Sequence, residues 1–314
     1  MIPALSVVIP VYNEEAVLPS LFSRLYPVLD ALGRTYEVVF VDDGSLDRSV
    51  ALLRAQHDTR PDVTRVVVLN GNFGQHMAIL AAFEHTKGQC VITLDADLQN
   101  PPEEIPHLLA EIDSGADYVG TIRKDRQDPA WRRWASTTLN SFRERTTGIH
   151  LGDQGCMLRA YDRAIVDLIK RCPESNTFVP ALAYSFARTP REIEVAHAER
   201  AAGASKYSLY RLIRLNFDLM TGFSVLPLQV FSMVGVTITG LSFLIVLVLA
   251  LRRLIVGPEA EGVFTLFGIV FFLLGICLFG IGLLGEYVVR IYQEVRQRPR
   301  YVIRTILEPE EPRA

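Results

Sequence analysis

Two long stretches without a single charged side chain constrain the fold of this chain more than any other feature. From Leu219 to Leu251, and again from Gly262 to Gly285, every residue is uncharged. A hydrocarbon core of about 30 Å is crossed by about 20 helical residues, so either run is long enough to span a bilayer. A buried hairpin of a soluble protein is the alternative, but apolar runs of about 18 residues or more argue for spans. The chain is 49% hydrophobic over 314 residues, and much of that excess sits here. Arg252 to Glu261, containing Gly257-Pro258, joins the two as a hairpin. Arg290, Arg296, Arg298, Arg300 and Arg304 follow the second run, against Arg252 and Arg253 in the connection, a bias that assigns both termini to the cytoplasmic side. Met1 to Leu5 leads straight into a strand with no basic signal-peptide start, so the part before the spans is expected in the cytoplasm.

Ahead of the spans the pattern changes to alternating strand and helix. Strands are predicted at Ser6 to Val11, Glu37 to Val41, Thr64 to Leu69, Val91 to Leu94 and Tyr118 to Thr121. Helices are predicted at Ala16 to Leu32, Asp47 to His57, Gln75 to Thr86 and Pro102 to Ser114. Such alternation implies an α/β fold, a Rossmann-like, mostly parallel sheet covered by helices. The strand ends then share one rim, where ligands bind in open α/β sheets. That rim collects Pro10, Tyr12, Asn13 and Glu14, then Asp42 and Asp43, then Asn72, and finally the acidic end of VITLDADLQ, Val91 to Gln99.

The acidic end carries the chemistry. Asp95 and Asp97 repel each other at the end of a buried strand unless a cation lies between them. Mg2+ or Mn2+ suits the set, because a hard cation takes one or two carboxylates and completes its shell with substrate phosphates and water. Asp95, Asp97 and Gln99 are the expected metal set. Asp97 could instead cap the helix that begins near Pro101-Pro102-Glu103-Glu104. Asp42 can accept from a uracil N3-H or a ribose hydroxyl, and Tyr12 offers a ring to pack on the base. Asp42-Asp43-Gly44-Ser45 also reads as ordinary turn chemistry. No GxGxxG and no GxxxxGK[ST] occurs in the first loop, which removes the dinucleotide fingerprint and the P-loop.

Further along, Arg123 to Arg145 is rich in arginine, with Trp131 and Trp134 flanking Arg132 and Arg133. This suits a helix lying at a membrane interface over about 129–145, or a solvated basic helix. Asp153 lies between glycines in GDQGC, where a tight turn is possible. Glu192 to Ala198 has strand character. Arg200 and Lys206, with Ser205 and Gly203 between them, make a phosphate-holding set just before the membrane. Tyr210 to Met220 reads as an interfacial helix, and Glu308 to Ala314 as a disordered tail. Cys90, Cys156, Cys172 and Cys277 have no metal-type spacing and read as reduced thiols. A net charge of -3 is uninformative about partners, and no nucleic acid partner is expected.

The series VVIPVYNEE (Val7 to Glu15), VDDGS (Val41 to Ser45) and LDADLQNPPE (Leu94 to Glu103) resembles the nucleotide-binding half of family 2 glycosyltransferases of GT-A fold. NFGQH (Asn72 to His76), GTIRKDRQD (Gly120 to Asp128), GDQGCMLRAY (Gly152 to Tyr161), HAER (His197 to Arg200), LLGEYVVRIY (Leu283 to Tyr292) and RPRY (Arg298 to Tyr301) resemble its polyprenyl-phosphate branch. The resemblance implies inverting transfer of 4-deoxy-4-formamido-L-arabinose from a UDP donor to undecaprenyl phosphate. The sugar would serve lipid A modification and resistance to polymyxin and other cationic peptides. A glucosyl, mannosyl or N-acetylhexosaminyl transferase to the same lipid is the nearest alternative, and a non-catalytic membrane-anchored nucleotide-sugar binder the alternative of another class.

On the resemblance, Pro10, Tyr12, Asn13, Glu14, Asp42, Asn72, Gln75, Asp95, Ala96, Arg123 and Arg126 would hold the donor, with Asp97 and Asp153 catalytic. The family places an aspartate like Asp153 near the acceptor as the usual base candidate. A phosphate acceptor with a second pKa of about 6 is already ionised near neutrality, so orientation is expected to matter more than proton removal. Arg200, Ser205 and Lys206 match its lipid-phosphate Gly-x-Ser-Lys region, although Ala204 stands where close relatives carry an acid. The expected layout is a cytoplasmic catalytic domain over 1–208, a juxtamembrane helix over 209–222, two spans within 223–285 and a cytoplasmic tail over 286–314. An inner-membrane homo-oligomer, a tetramer, is what the family implies.

Overall fold

The computed structural model describes residues 2–123, 148–153, 155–172, 178–196, 224–256, 263–296 and 298–309. The chain divides into two compact units. The first holds an eight-stranded sheet in the order β7-β5-β6-β4-β1-β2-β3-β8. Its strands are β1 Leu5–Val11, β2 Tyr36–Asp42, β3 Thr64–Leu69, β4 Cys90–Thr93, β5 Tyr118–Arg123, β6 Arg159–Asp162, β7 Pro190–Val195 and β8 Ile303–Leu307. Between them lie α1 Leu18–Ala31, α2 Ser49–Thr59, α3 Gln75–His85, α4 Ile105–Asp113, α5 Arg163–Arg171 and α6 Val179–Phe186.

The centre of the sheet is parallel. β1 pairs with β2 on one side and β4 on the other, and β2 continues to β3. Strands buried on both faces read as near-continuous apolar runs, and Val7, Val8, Ile9, Val38, Val39, Phe40 and Val41 are fully buried. Helix α1 turns Leu18, Leu21, Leu25 and Leu29 onto this surface, a spacing that keeps one face of a helix on the core. Two connections then break the parallel order. β6 runs antiparallel between β4 and β5, and β8 pairs antiparallel with β3.

The C-terminal stretch therefore differs from the expected tail. After the last helix, Ile303–Leu307 adds a strand to the first unit, and Asn70 N donates to the Val302 carbonyl at 2.8 Å. Glu308, read as the start of a disordered segment, sits 2.9 Å from the guanidinium of the fully buried Arg65. The physical reason is twofold: β3 would otherwise be an open sheet edge, and among the described residues Arg65 would keep only Glu37 as an acidic partner, at 3.7 Å.

The second unit contains two long helices, α7 Leu226–Val256 and α8 Val263–Val295, of 31 and 33 residues. Among the described residues one stretch, Ile269–Gln293, is long and apolar enough to cross a membrane, and α7 carries a shorter apolar stretch, Leu228–Ile238. The helices meet at Gly280, where an added Cβ would lie 2.2 Å from the Phe231 ring. Phe231 and Phe279 pack at 5.8 Å, and the Tyr287 hydroxyl donates to the Ser224 carbonyl at 3.0 Å. The interfacial helices expected over about 129–145 and 209–222 lie outside the described residues.

Candidate active site

The carboxyl ends of β4, β1 and β2 are adjacent, so the loops that follow them form one rim, as the strand alternation requires. Asp42 closes β2. Its Oδ2 accepts from the Gly44 and Ser45 amides at 3.2 and 3.1 Å, while Oδ1 is buried without a hydrogen-bond partner among the described residues. Burial raises the Asp42 pKa above the ordinary carboxylate value. An orphaned buried acceptor on a ligand-binding rim fits an N–H or hydroxyl brought by a ligand.

Gly44 makes the turn possible. Its φ is +75°, and a Cβ there would lie 2.4 Å from the Gly71 carbonyl carbon, so the turn after β2 and the loop after β3 touch backbone to backbone. Asp43 fastens the same two loops, accepting from the Phe73 and Gly74 amides at 2.7 and 2.9 Å. Asp43 reads from the sequence as a rim or turn residue, whereas its grip on the segment carrying Asn72 and Gln75 depends on a neighbour thirty residues away.

In the first loop, Tyr12 is 44% exposed and its ring is open to a ligand. Asn13 adopts a left-handed φ of 56°, and its side chain accepts from the Leu46 amide at 2.8 Å. Part of its role is thus to tie the first loop to the second. The Glu14 amide donates to the Ser49 hydroxyl at 2.9 Å, and Pro10 pairs with Val41 inside the sheet.

After β4 the chain passes through Leu94 into Asp95, Ala96 and Asp97. Ala96 is buried, and Asp95 accepts from Gln75 Nε2 at 2.6 Å. Burial, followed by the Asp97 charge, pushes the Asp95 carboxyl up to about 7. Asp97 Oδ1 accepts from the Gln99 amide at 3.1 Å, and the left-handed Leu98 (φ 59°) bends the loop between them. The helix cap weighed for Asp97 is not found: the turn at Pro102–Glu104 begins from Pro101 without a side-chain cap. The pair is thus two oxygen donors in mutual repulsion, a set that fits a hard divalent cation. Among the described residues no cluster of three or more His, Cys, Asp or Glu side chains forms a larger metal set.

Arg123, at the end of β5, lies against Asp153. Its Nε donates to Oδ2 at 2.5 Å and Nη2 to Oδ1 at 2.9 Å, a bidentate ion pair in which Asp153 is 3% exposed. Gly155 leaves room for the guanidinium, because a Cβ there would lie 2.7 Å from Arg123 Nη2. Arg159 on β6, which the sequence reading did not single out, is fully buried and donates to the Asp153 carbonyl at 2.6 Å. Arg126, Arg200, Ser205 and Lys206 lie outside the described residues.

A model of the family described as "Glycosyl transferase family 2" matches residues 6–169. The undecaprenyl-phosphate 4-deoxy-4-formamido-L-arabinose transferase of Aeromonas hydrophila is 52% identical over 98% of this chain and 94% of its own length. Its counterpart from Pseudomonas aeruginosa is 51% identical over 98% of this chain and 91% of its own. Among solved structures, glucosyl-3-phosphoglycerate synthase from Mycobacterium tuberculosis, crystallised with Mn2+, UDP and phosphoglyceric acid, superposes with a TM-score of 0.51. It is 18% identical, and the match covers 70% of this chain and 76% of that one, which shows a shared fold of the GT-A kind expected from the sequence.

Proposed function

Since the chain belongs to glycosyl transferase family 2, we infer that the rim of its sheet transfers 4-deoxy-4-formamido-L-arabinose from a UDP donor to undecaprenyl phosphate. The observation that carries this reading is the acidic pair at the end of β4, in a chain about half identical along nearly its whole length to transferases of that name.

Asp42 Oδ1 accepts from the uracil N3-H or a ribose hydroxyl, Tyr12 packs on the base, and Pro10, Asn13 and Glu14 shape the loop beneath it. Asn72, Gln75, Ala96 and Arg123 serve the diphosphate end of the donor, and Arg126 is assigned to the same group by the family resemblance. Asp95, Asp97 and Gln99 would hold Mg2+ or Mn2+, which when bound supplies Lewis-acid stabilisation of the charge on the departing diphosphate. Arg200, Ser205 and Lys206 hold the lipid phosphate. With that phosphate ionised, one of its oxygens attacks the anomeric carbon opposite the UDP oxygen. The bond to UDP breaks as the bond to the lipid phosphate forms, with inversion. Asp153 orients rather than deprotonates, consistent with a carboxylate already committed to a bidentate arginine.

The sheet also supports the expected topology. β8 belongs to the same sheet as β1, so a chain that leaves after β7 has to return after α8. One crossing through Ile269–Gln293 would strand β8 on the far side of the membrane; a second, through α7, brings it back. This favours a two-span hairpin with the sheet and both termini in the cytoplasm.

The test is a donor screen with purified full-length protein, undecaprenyl phosphate and divalent metal. Lipid-linked product from the UDP-linked formamido sugar, with little from UDP-glucose or UDP-N-acetylhexosamines, is the expected result. Turnover of one of the other donors instead would move the reading to that sugar, and no product from any donor would favour a pure binder. Replacing Arg200 or Lys206 by Ala should cost lipid-dependent transfer about 2 to 5 kcal/mol while leaving UDP affinity, measured by calorimetry, nearly unchanged.

A further inference from the structure

Arg159 has no part in the donor, metal or lipid sets, yet it is the least expected side chain in the sheet. It opens β6 opposite Thr93, the last residue of β4, two positions before Asp95. It is fully buried, in a setting where a charged group is tolerated only when its donors are satisfied. Nε donates to the Cys156 carbonyl at 2.9 Å, Nη2 to the Asp153 carbonyl at 2.6 Å, and Nη1 to the Tyr118 hydroxyl. None of these acceptors is a carboxylate. The slot is shaped for the guanidinium, since a Cβ on Gly120 would stand 3.2 Å from Nη1.

Packing alone does not explain this choice, because an apolar side chain of similar volume fills a core without the desolvation cost of an ion. What an apolar residue cannot do is hold two carbonyls of one loop at once. The loop in question carries Asp153, whose carboxylate also accepts from the Gly155 amide at 2.9 Å and from Arg123.

We propose that Arg159 is a positioning residue for the transfer reaction: by holding the Asp153 and Cys156 carbonyls together it sets Asp153 so that it meets Arg123. This rests on the transferase reading above. Arginine is required because its planar fork reaches both carbonyls and the phenol together, which a lysine ammonium on a flexible stem cannot do.

The experiment compares full-length wild type with Arg159→Lys and with Tyr118→Phe, which removes one acceptor and leaves the arginine. Amide exchange of the 153–158 segment, thermal unfolding, and kcat and KM for undecaprenyl phosphate are measured together. In Arg159→Lys the loop amides should exchange about tenfold faster or more, while β1 to β3 keep their protection. Its kcat should fall about 100-fold with KM for the lipid changed far less, as expected when reacting groups are misplaced rather than lost. Tyr118→Phe should shift the same quantities in the same direction, with a loss of about tenfold in kcat, and it carries the test if Arg159→Lys fails to fold. Unchanged loop exchange, or a kcat that falls only with the folded fraction, overturns the proposal. A wild type that forms no lipid-linked sugar overturns the transferase reading and the catalytic half of this one, while loop exchange separately decides the positioning half.

Discussion

Asp95 and Asp97 sit two residues apart yet meet different surroundings, one held by Gln75 and the other turned onto its own loop through the Gln99 amide. If they share a divalent cation, Asp97→Asn should lower turnover about a hundredfold or more, and a chelator should abolish the wild-type rate. Full activity in chelator would remove the metal from the account. The Asp95 carboxyl, near 7 in the folded protein against an ordinary 3.8, keeps its proton where the unfolded chain has released one. Its contribution to stability is therefore complete below about pH 4 and is lost as pH rises through about 7. Metal-free wild type, compared in thermal melts with Asp95→Asn, should lose relative stability across that window and recover it when Mn2+ is added at neutral pH. A flat difference between the two proteins would contradict the coupling. At Asp42 the orphaned oxygen gives a sharper test. Asp42→Asn keeps an acceptor for the Gly44 and Ser45 amides but can present an NH2 where the ligand N–H should dock, so UDP affinity by calorimetry should fall about 10- to 100-fold. Unaltered affinity would place the base elsewhere.

Among the elements, β8 pairs with β3, and Glu308 just beyond it reaches the buried Arg65. Glu308→Ala leaves the buried Arg65 with Glu37 alone, and because Glu308 is half exposed the expected loss is about 1 to 2 kcal/mol rather than that of a fully buried pair. Denaturant melts of the detergent-solubilised protein measure it, and a change below about 0.3 kcal/mol would show that the pair is screened. β8 was not legible in advance, because Ile303–Leu307 mixes Arg304 and Thr305 with apolar residues and follows a membrane-type helix, where a tail is the default reading. β6 escaped for a related reason: its four residues include Arg159 and Asp162, and a buried arginine looks like a surface one until its acceptors are seen. β1 to β4 were legible because strands covered on both faces carry near-continuous apolar runs, Val7 to Ile9, Val38 to Val41, Val66 to Leu69 and Val91 to Ile92. The rim followed from them, since parallel strands bring their carboxyl ends together. The tie from Asp43 to Phe73 and the Arg123–Asp153 pair did not follow, because each depends on a partner thirty residues distant.

For the whole molecule the consequence is one of sidedness. With β8 and β1 in one sheet, a membrane-impermeant thiol reagent should label a cysteine placed at Glu259 in intact cells and should spare one placed at the exposed Arg304. The opposite pattern would refute the hairpin assignment. The same connectivity bears on how the protein is made. Translation delivers β1 to β7 first, then both long helices, and only then the strand that covers the edge of β3. While the helices emerge from the ribosome, the nascent sheet has an open edge beside Asn70, at the root of the loop that carries Asn72 and Gln75. That edge closes only after α8 has been synthesised, so the loop carrying Asn72 and Gln75 gains its last backbone support once both long helices exist. Completion of the sheet beside the rim is in this way tied to synthesis of both long helices.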